Sequence, residues 1–568
     1  MSDHTKSLGK YAYYGALFII GLLALACFAD PEEDDLNGDS NYGPNGSITE
    51  LSGSITDDQT WSGTIEVTGN VSIRSGAVIT IEAGTTFIMA PDTQIEFGWN
   101  AHNYTIYADG TEEEPIVFRG RDQVPGFWKG IYLRQNGTSD SYVNHVEIHH
   151  AGGDGNQQAL LQDARLTVNH ITVTESASDG VRAGNFRDGS TTLIVEGCDG
   201  HPVVLTSPEA LDNLPLEGSD FTGNGDDRIA LDFSTIQTDI TVGNPGVPYF
   251  IKEGWSARGG GKLTVDAGNV FEVAVDQLVE FGWNGHEFTI ELNGTEEEPI
   301  VFEGAASDAG YWRGIRVQQA VTTASTIDHV IVRDAGAPES MAFHVRSPIR
   351  LNELTLENSL GTAFELSDAG LHHDSAGLHI NTTQGLAARA HFEGAIDLPS
   401  GTYFGNDDNF IALHGNLTRT GTLIDLGAPY LVEANITTRS GAELTIEPGT
   451  HFYFGADRGL EFGWNGHDST VTAIGTAADP IVFAGLIENA GSWSGVRVRN
   501  SVASNSVFEH VEFHHADTAL DLHRDLSVAD CSFYDYLTAA IALPSAADPA
   551  PYLANNSFDG SGADDIVQ

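Results

Sequence analysis

The chain has 568 residues, of which 80 are Asp or Glu and 26 are Lys or Arg, a formal charge of −54. So acidic a surface excludes nucleic acid and anionic lipid as direct partners, because both need a cationic footprint. It also repels polyanionic glycans unless a divalent cation bridges them. The acidic coat reads as a solubilising shell, with calcium loading as the competing reading. The 64 glycines and 20 prolines suit many short strands between tight turns.

In chain order, Lys6 and Lys10 make a weakly basic opening, and an apolar run from Tyr11 to Ala26 ends at Cys27. The run is short for a spanning helix, which needs roughly 20 apolar residues, and reads as a targeting segment. Ala24-Leu25-Ala26-Cys27 resembles the lipobox of bacterial lipoproteins, with Ala24 where that family has Leu. The resemblance implies removal of residues 1–26 and lipidation of Cys27. The protein is then exported to the outer membrane or cell surface and touches the membrane through its lipid anchor only. Ordinary signal cleavage with secretion is the other reading. Residues 27–49 are polar, acidic and rich in turn formers, as in a disordered tether. Cys198 and Cys531 lie far apart in apolar contexts and read as small buried hydrophobes.

Length alone would argue for several compact domains, but internal repetition overrides that prior. A stretch beginning EFGWNAHNYTIY at Glu96 returns in close copy from Glu280 and from Glu461. Trp99, Trp283 and Trp464 mark a tandem period of about 180 residues, the signature of a repeat architecture. Trp128, Trp312 and Trp493 keep the same spacing, and so do His145, His329 and His510. A reactive centre is usually needed once, whereas a unit that stacks is needed many times. These landmarks set units at 50–227, 228–408 and 409–568. Asp226-Asp227, Asp407-Asp408 and Asp564-Asp565 close the three units. The interval from Trp493 to Asp565 is clearly shorter than those from Trp128 to Asp227 and from Trp312 to Asp408. The last unit therefore lacks one smaller module.

The inner period is visible directly. HVEIHHAG, HITVTES and LIVEGCDG recur roughly 23–25 residues apart, within the range of solenoid repeats. Companion strands ALLQD, DGVRA and HPVVL lie between them. Each alternates apolar and polar residues, the mark of a half-buried strand, and no segment after residue 26 carries a helical stripe of useful length. In PIVF, Ile116 and Phe118 are expected inside; in GIYL, Ile131 and Leu133 inside, Tyr132 and Arg134 outside. A short period of this kind predicts stacked coils of parallel strands, a β-solenoid.

GAVITIEAGTTFIM, GAELTIEPGTHFYF, GTEEEPIVF, GFWKGIYL, GYWRGIRV and GSWSGVRV resemble segments of right-handed parallel β-helix proteins of the pectate-lyase-like fold, particularly bacterial exported ones. The resemblance implies an all-β right-handed parallel β-helix over everything after the tether. It implies no particular reaction, because that fold hosts lyases, hydrolases, adhesins and proteins without activity.

Several residues are candidates for chemistry. Trp99, Trp283 and Trp464 sit in a turn after a strand, where an indole either stacks on a sugar face or packs over a corner of the coil. Copies about eight coils apart, ~40 Å, suit a polymer. Trp128, Trp312 and Trp493 read as structural. The pairs His149-His150 and His514-His515 put neighbours on opposite faces of a strand, which argues against a shared metal. Asp226, Asp227, Asp407, Asp408, Asp564 and Asp565 stand at Gly/Asn turns and read as solvent-facing turn residues or calcium ligands. Paired Asp residues also resemble those of polygalacturonase-like hydrolases, but the Arg-x-Lys of those enzymes occurs nowhere here. Nor do the few basic residues form a visible cluster for lyase chemistry.

The composite reading is a non-enzymatic, surface-anchored scaffold presenting repeated faces for adhesion or contact with extracellular polysaccharide or matrix. The alternatives are a polysaccharide lyase or glycoside hydrolase with a groove site on one sheet, and a calcium-stiffened structural fibre. Uniqueness separates them: an enzyme needs one polar cluster in a single unit, a scaffold the same outward residues in all three.

Overall fold

The computed structural model describes residues 50–153, 155, 158–367, 370–560 and 564–568. The targeting segment 1–26, Cys27 and the tether 27–49 lie outside these residues. The described chain is all-β with large parallel sheets, an arrangement compatible with a β-solenoid. Three short helices interrupt it, at Pro208–Asp212, Phe392–Ala395 and Ala550–Asn555. Each is too short to carry the amphipathic stripe by which a helix is read from sequence. Among the described residues no helix is long and apolar enough to cross a membrane.

The alternation of apolar residues decides which side chains go inside. Val78–Ile81 and Thr86–Met89 both bury their second and fourth residues. Ile116, Phe118, Ile131 and Leu133 are buried, and Arg134 faces out, half-buried. Tyr132 departs from the simple pattern: it faces outward yet is only 6% exposed. Glu96 and Leu161 flank it on neighbouring strands, and the Arg134 guanidinium lies 5.2 Å over its ring.

Each coil feeds three ladders, in some coils with one long strand serving two of them. Tyr142–His149 continues both Thr105–Asp109 and Ile116–Gly120, while Gly130–Leu133 continues into Gln158–Gln162. Coil length varies: Ile116 faces Val146 across a long coil, whereas Ile171 faces Leu193 across a short one. In the long coil the extra residues sit at a corner, between the Asn144–Asp109 and Val146–Ile116 pairs; register shifts within a strand occur at Leu51/Gly53 and Leu386/Ala388. Inside, like packs over like. Phe87 stacks on Phe118 at 4.3 Å, and Phe452, Phe483, Phe513, Phe533 and Phe558 form a continuous column at 4.9 to 5.4 Å. Trp128, Trp312 and Trp493 are fully buried. Their indole N–H groups donate to the carbonyls of His149, Arg333 and His514 on the next coil, each at 2.8 Å. Cys198 and Cys531 are buried and unpaired with each other.

Equivalent strands do not continue one another's ladder. Starting at Gln94–Phe97, the ladder runs through Gly130–Leu133, Gln158–Gln162, Asp179–Ala183, Val203–Leu205, Ile229–Leu231 and Tyr249–Ile251 to Val270–Val273. It then meets Ile300–Gly304, the second copy of PIVF, and not the second copy of EFGW. The second EFGW strand, Leu278–Phe281, belongs to the next ladder round the coil, which leads in turn through His451–Phe454 to the third PIVF strand, Ile481–Gly485. From the EFGW strand to the strand at the Asp pair takes five pairings in the first two copies. It takes four in the third, between Gly459–Phe462 and Asp564–Val567.

Truncating Trp312 to Ala removes a fully buried indole and its bond to the next coil, and should cost about 3–5 kcal/mol. Trp312→Phe keeps most of the volume and loses the bond, costing about 1–3 kcal/mol. Urea unfolding followed by circular dichroism checks the order; equal midpoints for both variants and the parent would refute it.

Candidate functional site

The EFGWN segments build the same turn three times. Each begins as a strand whose Phe (Phe97, Phe281, Phe462) is buried. The next residue is a left-handed glycine, with φ 82° at Gly98, 74° at Gly282 and 75° at Gly463. At Gly98 a Cβ would lie 2.9 Å from the Tyr104 ring, so the corner requires glycine twice over, by conformation and by space. Asn100, Asn284 and Asn465 are left-handed as well, as Asn tolerates, and this throws the preceding Trp outward. The indoles of Trp99, Trp283 and Trp464 are 42, 38 and 36% exposed.

Each indole has an arginine over one face. Arg74, Arg258 and Arg439 hold their guanidinium carbons 5.8, 4.8 and 3.9 Å from the ring centroids of Trp99, Trp283 and Trp464. They come from the preceding coil, since Ile73 pairs with Phe97 and Ala257 with Phe281. A cation over an aromatic face orients the ring at modest cost in exposure. Sequence reasoning missed these arginines, although the signal was present: each precedes its Trp at the same offset and is followed by Ser-Gly or Gly-Gly.

A carboxylate completes the unit. Glu96 Oε1 accepts from Arg134 Nε at 2.8 Å, Glu461 Oε1 from Arg499 Nε at 2.7 Å, and Glu280 Oε1 from Gln318 Nε2 at 2.6 Å. Glu96 and Glu280 are buried. Beside Trp99 these groups, with Asn100, Asn136 and Asp163, line an open cleft of about 500 Å³. Beside Trp464, Glu461, Asn465 and Arg499 line one of about 330 Å³. Both lie in the range of small-ligand sites, roughly 300–1,000 Å³. Burial pushes the Asp163 carboxyl above its ordinary range. An aromatic platform rimmed by amide, guanidinium and carboxylate groups offers an apolar face and both donors and acceptors, which is the chemistry of a sugar ring.

One outward column differs between copies. In the middle unit Glu280, Arg316, His344, Glu365 and Arg389 stand directly above one another. The same positions hold Glu96, Tyr132, Leu161, Arg182 and Val204 in the first unit. In the third they hold Glu461, Arg497, Asp521 and Ala542. His344 Nε2 and Ser367 Oγ are 3.0 Å apart, and Ser367 Oγ donates to Glu365 at 2.9 Å. Glu365 is only 9% exposed. The fold thus creates a cluster of basic residues that the linear order hides.

The Asp pairs are not brought together. They stand where the chain enters Ile229–Leu231, Asp408–His414 and Asp564–Val567, in three separate ladders. Asp226 accepts two hydrogen bonds from the Arg228 guanidinium, which also reaches Glu272 at 2.9 Å. Arg228 holds the Asp226 carboxyl below its usual range. Asp227 accepts from the Asn224 N–H, Asp408 from the Phe410 N–H, and Asp565 from the Tyr536 hydroxyl. Asp407 donates its own N–H to the Thr383 carbonyl. Asp564 opens its strand, exposed.

The histidines behave as strand neighbours should. His149 turns to Glu147 and Thr174, while His150, in a left-handed residue, turns to Glu175 at 2.8 Å. His145, His329 and His510 are corner residues with φ of 46 to 50°. Among the described residues, three side-chain ligand atoms lie within 4.8 Å of one another at His372, His373 and Asp374, and at Glu509, His510 and Asp530; neither group contains an Asp pair.

No protein-family model, no curated protein and no solved structure matches the chain.

The Asp226–Arg228 pair makes a pH-dependent contribution with a definite sign. A carboxyl lowered on folding stabilises fully above its unfolded pKa, roughly 3.9 for Asp, and the gain is lost as pH falls through the folded value. Arg228→Met should therefore lower the urea midpoint at pH 7, with the gap to the parent narrowing below about pH 4. A gap that stays constant across this range would show that Arg228 acts by packing on Phe250 and not by charge.

Proposed function

We propose that this chain is an exported, lipid-anchored, right-handed parallel β-helix of the pectate-lyase-like type that acts without catalysis, as a scaffold for contact with extracellular polysaccharide. The observation that carries the reading is selective repetition. The Arg–Trp–Glu turn occurs three times with the same left-handed Gly and Asn. The outward column beside it changes from copy to copy. A binding feature needed several times explains the first fact; the second runs against the uniform outward surface a scaffold calls for and favours the second reading below. The charge of −54 directs the choice of polymer toward neutral glycans.

Affinity electrophoresis of the full chain through gels carrying soluble neutral polysaccharides tests this. The parent should be retarded, each single Trp→Ala variant at positions 99, 283 and 464 retarded less, and the triple variant not at all. Equal mobility of parent and triple variant in every gel overturns the reading. Repeating the runs with calcium and with EDTA addresses the fibre alternative, which expects chelation to lower the melting temperature. Anchoring has its own check: Cys27→Ala should abolish incorporation of labelled fatty acid and release the protein from the cell.

A second reading, catalysis on a polysaccharide, draws on one observation, the Arg316–His344–Glu365–Arg389 column found in the middle unit alone. Basic and acidic side chains one strand apart also describe a plain ion ladder. Glu365→Gln and His344→Ala decide between them: loss of a measured polysaccharide-cleaving activity in both favours catalysis, and the absence of such activity in the parent removes it.

A further inference from the structure

We infer that the three Trp turns are separate ports that hold three different strands of an uncharged polysaccharide, so that one molecule cross-links the polymer. This rests on the glycan reading above and adds to it a direction for each site. Trp99, Trp283 and Trp464 follow strands in three different ladders, Gln94–Phe97, Leu278–Phe281 and Gly459–Phe462. Seven pairings lead from the first of these to Val270–Val273, and the chain then takes one strand more to reach Leu278–Phe281. Seven pairings likewise lead from Leu278–Phe281 to His451–Phe454, followed by one strand more to Gly459–Phe462.

A repeat of a whole number of coils would set the three indoles in one row, like pegs along one edge. Seven coils plus one strand instead carries each turn about a third of the way round and ~35 Å along, at ~4.8 Å per coil. A polymer lying along one face meets one indole, and the other two point elsewhere. The ports cannot swing into line, because each is fixed by its glycine corner and by an arginine from the coil below. The partner is uncharged for two reasons. The molecule repels polyanions as a whole, and two of the cations beside the Trp turns are already held by carboxylates, Arg134 by Glu96 and Arg499 by Glu461. Weak stacking at each port becomes strong attachment when several ports engage one network.

The test uses the full chain with soluble β-glucan, galactomannan and dextran, read by affinity electrophoresis and light scattering. The parent should aggregate at least one polymer it binds, with a maximum at intermediate protein-to-polymer ratio. The double variants Trp99→Ala/Trp283→Ala, Trp99→Ala/Trp464→Ala and Trp283→Ala/Trp464→Ala each keep one port. They should stay retarded in gels of that polymer, lose the aggregation, and lose about a hundredfold in apparent affinity for a polymer-coated surface. Melting temperatures equal to the parent's show that the turns are lost without the fold. Compact complexes of one protein per polymer strand, or undiminished aggregation by the one-port variants, would overturn the cross-linking inference while leaving glycan binding in place. No retardation of the parent by any of the three polymers would overturn both.

Discussion

A strand that buries alternate residues has no interior of its own until another strand of the same pattern lies on it. Everything in this molecule depends on that. Phe87 needs Phe118, Phe483 needs Phe513, and each indole of the Trp128 series is bonded to a carbonyl of the coil above. The hydrophobic gain is thus shared between neighbours and accrues coil by coil. The backbone bonds obey the same rule, because every coil supplies the donors and acceptors its neighbours require. Such an interior places strict demands on inward residues and on register, and few on the corners, where long and short coils coexist.

That division explains what is legible in the sequence. Alternation in PIVF and GIYL places Ile116, Phe118, Ile131 and Leu133 because inward positions answer to one requirement, apolar bulk. Tyr132 escapes the pattern because exposure of an outward residue depends on neighbours far away in the chain; its cover comes partly from Glu96 and Leu161. The arginines at 74, 258 and 439 stand at a constant offset from their Trp partners, yet a cation beside an aromatic leaves no hydrophobic period to follow. The column from Arg316 to Arg389 is unreadable in practice, since its members are separated by unequal coils.

The rotation of equivalent faces belongs to a different category. The spacing of Trp99, Trp283 and Trp464 counts residues, and faces are set by counting strands. Conversion between the two requires the length of every coil, which turns and corners adjust freely. The one-dimensional period therefore establishes that the units repeat without establishing which way they look. Indoles in a row along a single polymer are a natural expectation from the period alone, and the ladders replace it with three outlooks.

The same geometry bears on why the acidic coat and the Trp turns can share one surface. Charges scattered over a stiff coil repel one another and keep the rods apart in water of moderate salt, and screening shortens their reach to roughly 8–10 Å. An indole held at a corner over its arginine projects from this coat as a local exception, apolar on its open face with a cation beneath. Three such exceptions on three sides sit on a molecule whose charge repels its own kind, and under the proposed glycan reading they give each face a foothold for an uncharged chain. On that proposal, repulsion between copies and attraction to polymer would act together, spacing the molecules within the network they hold.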